Sequence, residues 1–117
     1  MTGKITLYGI KNCDTIRKAR RWLDEHDVIY VFHDFRQGGI DPRLLDVWCD
    51  QLGFEALLNK RGTTWRNLPD RAKHNLTVSS AKQIMLDNPS VIKRPVLDLG
   101  DLRVVGFSPS EYASLFT

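Results

Sequence analysis

The chain has 117 residues, of which 42% are hydrophobic and 26% charged, with a formal net charge of +3 and an isoelectric point near 9.0. That length and composition suit one compact domain that buries its core without metal or disulfide staples, and they exclude general disorder. The longest apolar runs, such as Val28 to Phe32, are far too short to span a bilayer, and the mild positive charge favours an anionic small molecule over nucleic acid, whose binders concentrate more charge on one face.

Met1 to Leu7 passes directly into a strand-like pattern, without the apolar stretch and cleavage site of a secretory signal, so a cytoplasmic protein is expected. Lys4 to Tyr8 alternates polar and apolar residues and reads as a strand that Gly9 breaks. A helix follows, capped by Asp14 or Thr15, with Ile16, Ala19, Trp22 and Leu23 as its apolar stripe. Val28 to Phe35 reads as a second strand, ending at Arg36-Gln37-Gly38-Gly39. Strand, helix and strand with short links predict a right-handed parallel crossover.

The middle of the chain differs in character. Asp41-Pro42 opens a helix, with Asp41 as cap and Pro42 at the first helical position; Leu44, Leu45, Trp48, Cys49 and Leu52 carry it to Gly53. Phe54 to Leu58 reads as a short helix before the polar run Asn59-Lys60-Arg61-Gly62-Thr63-Thr64. Ser79 or Ser80 opens a further helix through Ala81, Ile84, Met85 and Leu86, which stops before Asn88-Pro89.

The last third returns to strands. Pro95 to Leu99, a Gly100-Asp101 turn and Leu102 to Val105 read as a hairpin. Ser108-Pro109 then opens a final helix carrying Tyr112, Leu115 and Phe116. The order βαβ, helices, ββα predicts an α/β fold: one domain over 1–117, with a mixed four-stranded sheet and a helical insertion at about 41–90.

Cys13 is the sharpest chemical feature. It lies in the loop between the first strand and the first helix, where an α/β sheet presents ligand sites. Free backbone N–H groups and the positive end of the helix dipole favour thiolate over thiol there. The same helix carries Arg17, Lys18, Arg20 and Arg21 early and Asp24 and Glu25 late, the reverse of what its dipole favours. Arg20 with Asp24 and Arg21 with Glu25 form i,i+4 pairs in the weaker orientation. An electropositive field around a thiolate gives the arrangement a purpose; a solvated face that tolerates misplaced charges is the alternative. For Cys13 itself the alternative is a small buried hydrophobe, against which stand the polar neighbours Lys11, Asn12 and Asp14.

Cys49 falls on the apolar stripe of its helix beside Leu45 and Leu52 and reads as packing, with a resolving role left open. Two cysteines without CxxC spacing, and the scattered His26, His33 and His74, support neither a disulfide framework nor a zinc site. Ile92-Lys93-Arg94-Pro95-Val96 places a basic pair and a proline at a strand entry, suited either to binding a carboxylate or oxyanion or to an ordinary exposed strand end. Lys60 to Arg66 is a polar turn that offers N–H groups and arginines to an anion, but it lacks phosphate-loop spacing. Trp22, Trp48 and Trp65 read as core or rim packing.

Several segments together resemble the arsenate reductase (ArsC)/Spx-like family, and within it the YffB-type branch. They are Leu7 to Thr15, Lys18 to Leu23, Ala56 to Thr64, Ile92 to Pro95 and Val105 to Ser108, spread over nearly the whole chain. The resemblance implies a thioredoxin-like fold with a helical insertion, Cys13 as nucleophile, and Arg94, before a cis Pro95, as a ligand of the anionic substrate. The chain departs from true arsenate reductases in three places. Their cysteine loop ends in Cys-Gly-Thr-Ser, where this chain has Cys13-Asp14-Thr15-Ile16. Their first oxyanion arginine falls near Asn59 to Arg61, so that Arg61 stands in from a shifted position, and their last falls at Gly106 and Phe107. Spx regulators often carry CxxC, and Ile16 here removes the second cysteine.

The function so implied is that of a glutathione-dependent thiol/disulfide reductase. It would use a single nucleophilic cysteine through a mixed disulfide. Cys13 and Arg94 are the expected catalytic residues, and Lys11, Asn12, Arg61, Lys93, Pro95 and Phe107 the expected substrate- or glutathione-binding residues. No metal is implied. Glutathione is the expected co-substrate, with a small disulfide or arsenate as substrate, glutaredoxin as a candidate recycling partner, no membrane or nucleic-acid partner, and a monomeric protein. The alternatives are a glutathione/glutaredoxin-linked arsenate reductase and a non-enzymatic Spx-like regulator that binds a protein partner.

Overall fold

The structure, a computed structural model, describes residues 4–116; the expectation resting on Met1 to Gly3 falls outside them. In chain order the elements are β1 (Thr6–Gly9), α1 (Asp14–Glu25), β2 (Val31–Asp34), α2 (Phe35–Gly38), α3 (Pro42–Leu52), α4 (Phe54–Leu57), α5 (Thr63–Arg66), α6 (Asp70–Lys73), α7 (Val78–Asp87), a 3-10 turn (Pro89–Val91), β3 (Val96–Asp98), β4 (Arg103–Val105) and α8 (Pro109–Leu115). They fall into two compact units, Met1–Asp34 with Arg94–Thr117, and Phe35–Lys93.

The first unit holds the sheet, in the order β2-β1-β3-β4. β1 runs parallel to β2, with Gly9 opposite Asp34. It runs antiparallel to β3, which turns back antiparallel into β4. The sheet is therefore mixed and four-stranded, as the sequence predicts, in the thioredoxin-like order. Period-2 alternation puts Leu7 of β1 and Leu97 of β3 against Ala19 and Leu23 of α1 and Tyr112 of α8, all of them fully buried. Trp22, Phe107 and Phe116 pack on this core as partly buried neighbours.

Local chemistry sets the element ends. Asp27 takes the left-handed conformation at φ 57°, and the Val28 N–H bonds back to the Leu23 carbonyl at 3.0 Å. Val28 to Tyr30 are thereby used in leaving the helix, so β2 begins at Val31 and not at Val28 as the sequence suggests. It also ends earlier, because Phe35 is buried and opens the turn α2. Gly9 is the last residue of β1 and does not break it. In the β3–β4 hairpin, Asp98 Oδ1 accepts the Gly100 N–H at 2.8 Å and pairs with Arg103 Nε at 3.1 Å, the two side chains only 9% and 12% exposed. Ser108 caps α8 by accepting the Glu111 N–H, with Pro109 at the first helical position.

The second unit is helical, a run of 35–93 where the sequence places an insertion at 41–90. Asp41 caps α3 by accepting the Arg43 N–H at 2.9 Å. For α7 the cap is Thr77, two or three residues before the expected Ser79 or Ser80. Thr77 and Ser80 hold each other's backbone N–H groups, which uses up the hydroxyl of Ser80. Trp48 is fully buried with Leu45 on α3, and Phe35 meets Trp48 edge-on at 6.4 Å. Lys82 of α7 pairs with Asp46 of α3. Two four-residue helical turns follow α4: α5 forms in the run Lys60 to Arg66 read as a polar turn, and α6 in a stretch where the sequence predicts no element.

Candidate active site

Gly9 ends β1 beside Asp34, and four residues then lead to helix α1. Ile10 is buried, whereas Lys11 and Asn12 are exposed. The Lys11 N–H donates to Asp34 Oδ2 at 3.4 Å. Asn12 takes φ 70°, a left-handed conformation that asparagine tolerates better than most residues. This bend delivers Cys13 to the N-cap of α1 in an extended conformation, φ −99° and ψ 132°. Its carbonyl accepts the first helical bond, from Arg17 N–H at 2.9 Å. The helix thus starts at Asp14, and neither Asp14 nor Thr15 caps it as the sequence suggests: the capping position belongs to the cysteine.

The half-buried sulfur stands at the place of a capping oxygen but closes no side-chain cap hydrogen bond; the first-turn N–H groups act on it as dipoles. Burial raises the Cys13 pKa, but four influences oppose it: the Ile16 N–H, a hydrogen bond from the Arg94 side chain, the Thr15 N–H and the charge of Arg94. They win, and the thiol is held below the ordinary thiol value. All four favour the anion because each places a positive charge or a positive dipole end against sulfur.

Arg94 comes from the strand entry ahead of β3. The peptide bond between Arg94 and Pro95 is cis. Pro95 is buried, and its carbonyl accepts the Gly106 N–H at 2.8 Å across the hairpin. Gly106 has φ 86°, which carries the chain on to Phe107. Phe107 packs edge-on against Tyr112 with ring centroids 4.8 Å apart and is part of the aromatic wall of this unit.

Arg61 and Lys93 belong to the other unit. With Leu58, Asn59 and Lys60 they line a pocket of about 280 Å³. Its frame is the backbone bridge between Leu58 and Ile92, tied by Asn59 N–H to Val91 O at 2.8 Å and Lys93 N–H to Leu57 O at 2.6 Å. The Asn59 side chain accepts the Arg61 N–H at 3.2 Å and so shapes the turn. Three cationic side chains around one hollow suit an anion such as a carboxylate. The expected site residues therefore form two groups, Cys13, Arg94 and Pro95 with the loop residues Lys11 and Asn12 in one unit, and Arg61 with Lys93 in the other.

Other side chains settle differently. Cys49 is buried on α3, and burial, followed by the charge of Asp50, raises its pKa. That is the behaviour of a packed, unreactive thiol. Of the α1 cations, Arg17 pairs with Asp14. Arg20 donates to the Tyr30 hydroxyl at 3.1 Å and lies 4.4 Å from the Phe32 ring centroid. The pairs of Arg20 with Asp24 and Arg21 with Glu25 do not occur among the described residues. Arg20 therefore has a packing reason for its place. Sequence reasoning passed over Asp34 and the spatial role of Gly9. A polar residue at the end of a strand beside a β–α loop, and a glycine inside a strand, were the available signals. No described helix is long and apolar enough to cross a membrane.

The model of the ArsC family matches residues 8–115. An uncharacterised protein of Haemophilus influenzae is 42% identical, the match covering 96% of this chain and 98% of that protein. The solved structure of a protein named YFFB superposes with a TM-score of 0.94 at 49% identity, covering 97% of this chain and 100% of that one. An arsenate reductase (ArsC) related protein from Brucella melitensis gives a TM-score of 0.76 at 44% identity, covering 100% and 98%. More distant is a global transcriptional regulator Spx of Streptococcus mutans, 28% identical over 92% of this chain and 79% of that protein.

Proposed function

The chain belongs to the ArsC family, and on that premise we propose that it is a thiol reductase that works through Cys13 and draws its reducing equivalents from glutathione. One observation carries the reading: the Cys13 sulfur sits at a helix N-terminus with the Arg94 side chain bonded to it, and its pKa is lowered. The thiolate is the nucleophile in thiol–disulfide exchange, and a thiol that ionises near neutral pH is the best placed to attack.

In the first step the Cys13 thiolate attacks one sulfur of a substrate disulfide. A new S–S bond forms, the old one breaks, and the leaving sulfur departs with the electron pair as a thiolate that solvent protonates. In the second step a glutathione thiolate attacks the sulfur that Cys13 holds. The mixed disulfide breaks, the glutathionylated substrate half is released, and Cys13 leaves as the stabilised thiolate. A second glutathione frees that half as a thiol, and the net change is two glutathione molecules oxidised for one disulfide reduced. Arg94 serves both steps by stabilising the sulfur when it is anionic. Cys49, buried with a raised pKa, does not offer itself as a resolving thiol, so the second thiol comes from solution.

The carboxylates of glutathione call for cationic partners. Lys11 and Arg94, in the unit that holds Cys13, are our candidates. Phe107, only partly buried, gives an organic substrate apolar surface. The test is turnover of a model disulfide with glutathione, alongside arsenate. Activity on the disulfide that Cys13→Ser abolishes supports the reading; no turnover of either by the intact protein removes it.

A second reading, that of a regulator acting through a protein partner, is favoured by the relative named global transcriptional regulator Spx. It predicts that Cys13→Ser leaves the cellular function intact.

A further inference from the structure

We infer that Gly9 is a positioning residue for the Cys13 thiolate, acting through the side chain of Ile16. The inference rests on the reading of Cys13 as the working nucleophile. Gly9 does not owe its place to backbone freedom. It ends β1 in ordinary extended pairing opposite Asp34, and its φ is outside the left-handed region. Space is what it supplies. A methyl group built on Gly9 would overlap Cδ1 of Ile16, lie 2.8 Å from Cγ1 of the same side chain, and meet Phe32 Cε1 at 3.8 Å.

Ile16 has nowhere else to go. Its side chain is 1% exposed, so a rotation into solvent would open the packing beneath the first turn of α1. Phe32, in contact with the same spot, is held by the Arg20 guanidinium 4.4 Å from its ring centroid. A Cβ at position 9 therefore displaces the Ile16 side chain, and through it bears on the residue whose N–H faces the Cys13 sulfur.

The first turn of α1 is where the thiolate is made. The Ile16 N–H is the largest of the influences that lower the Cys13 pKa, and the Thr15 N–H beside it is another. The pull of a backbone N–H dipole on a thiolate falls off as the group moves away from it. A displaced first turn thus loses part of its hold on the anion while the loop cysteine remains chemically present. Gly9 and Ile16 form a matched pair, a missing methyl on the strand and a long side chain on the helix, that fixes the N–H groups against the sulfur.

The pairing makes a rescue prediction that a merely structural role does not. The Cys13 pKa is measured from the pH dependence of iodoacetamide alkylation and of thiolate ultraviolet absorbance in the intact protein, Gly9→Ala, Ile16→Ala and the double variant, with thermal melts alongside. Gly9→Ala should raise the Cys13 pKa and slow alkylation at neutral pH by about threefold or more, as expected when the thiolate fraction falls. In the Ile16→Ala background the same Gly9→Ala change should leave the pKa unmoved, because the clashing atoms are gone. If Gly9→Ala fails to fold, the comparison of Ile16→Ala with the double variant carries the test alone. A lowered pKa in the intact protein that Gly9→Ala leaves unchanged overturns the pairing, and so does a double variant raised above Ile16→Ala. An ordinary thiol pKa in the intact protein overturns the nucleophile reading instead.

Discussion

The Arg94 side chain donates a hydrogen bond to the Cys13 sulfur, although the two residues lie near opposite ends of the chain. The contact exists because β3 pairs with β1 in the middle of the sheet. That brings the entry of β3 beside the loop that leaves β1.

Arg94 acts on the sulfur in two ways, by hydrogen bond and by charge. Arg94→Ala is therefore expected to raise the Cys13 pKa and lower disulfide turnover at neutral pH by about tenfold. Arg94→Lys keeps the charge but loses the planar fork and should fall between the two. Parallel pH profiles of alkylation and turnover check both variants.

The two cysteines should separate cleanly in the native state. Cys13 is half-buried with a lowered pKa, whereas Cys49 is 7% exposed with a raised one. Brief alkylation at neutral pH followed by mass analysis should label Cys13 alone, and Cys49→Ala should keep full disulfide turnover. Labelling of Cys49 at a comparable rate would contradict this assignment.

Stability should carry the signature of Cys13 with a definite sign. Its folded pKa lies below the unfolded one, so its stabilising contribution is fully present above the unfolded value and declines as pH falls through the folded value. Cys13→Ser should therefore flatten the rise of stability with pH across that window. Cys49, with a raised folded pKa, contributes in the opposite sense, and its contribution is lost at high pH. Urea unfolding of both variants at a series of pH values reads the two slopes.

The hydroxyl of Tyr112 is buried without a hydrogen-bond partner, and burial, then the charge of Glu111, raises its pKa. Removing it should cost nothing. Tyr112→Phe is expected to leave stability unchanged or to raise it by up to about 1 kcal/mol, because an unsatisfied polar group is deleted while the ring contacts with Trp22 and Phe107 remain. The Asp98–Arg103 pair is the opposite case, nearly buried and joined at 3.1 Å. Arg103→Met removes the cation from this nearly buried carboxylate, which keeps the Gly100 N–H, and should cost about 3 kcal/mol in chemical denaturation.

Much of this was legible in the sequence. The alternation from Lys4 to Tyr8, the stripe of Ile16, Ala19 and Leu23, and the caps Asp41 and Ser108 each express a local rule that the fold obeys. What escaped was set by contacts distant in sequence or by single turns. β2 is short because Asp27 bends left-handed and Phe35 is drawn into the core. Arg20 turns to Tyr30, just ahead of β2, and to Phe32 on it, which no spacing along α1 reveals. The four-residue helices α2, α5 and α6 are too brief for any periodicity. At the site, the position of Cys13 between strand and helix was readable, whereas its bond from Arg94 depends on β3 lying next to β1, a matter of topology.

The most direct measurement is titration of the Cys13 thiolate in the intact protein, followed by thiolate absorbance and by turnover of a model disulfide with glutathione. One ionisation below the ordinary thiol value is expected, lost in Cys13→Ser, with turnover at saturating glutathione, where attack by Cys13 sets the rate, rising through the same pKa. A Cys13 that titrates like a free thiol, or turnover that persists in Cys13→Ser, would contradict the reading of Cys13 as the nucleophile.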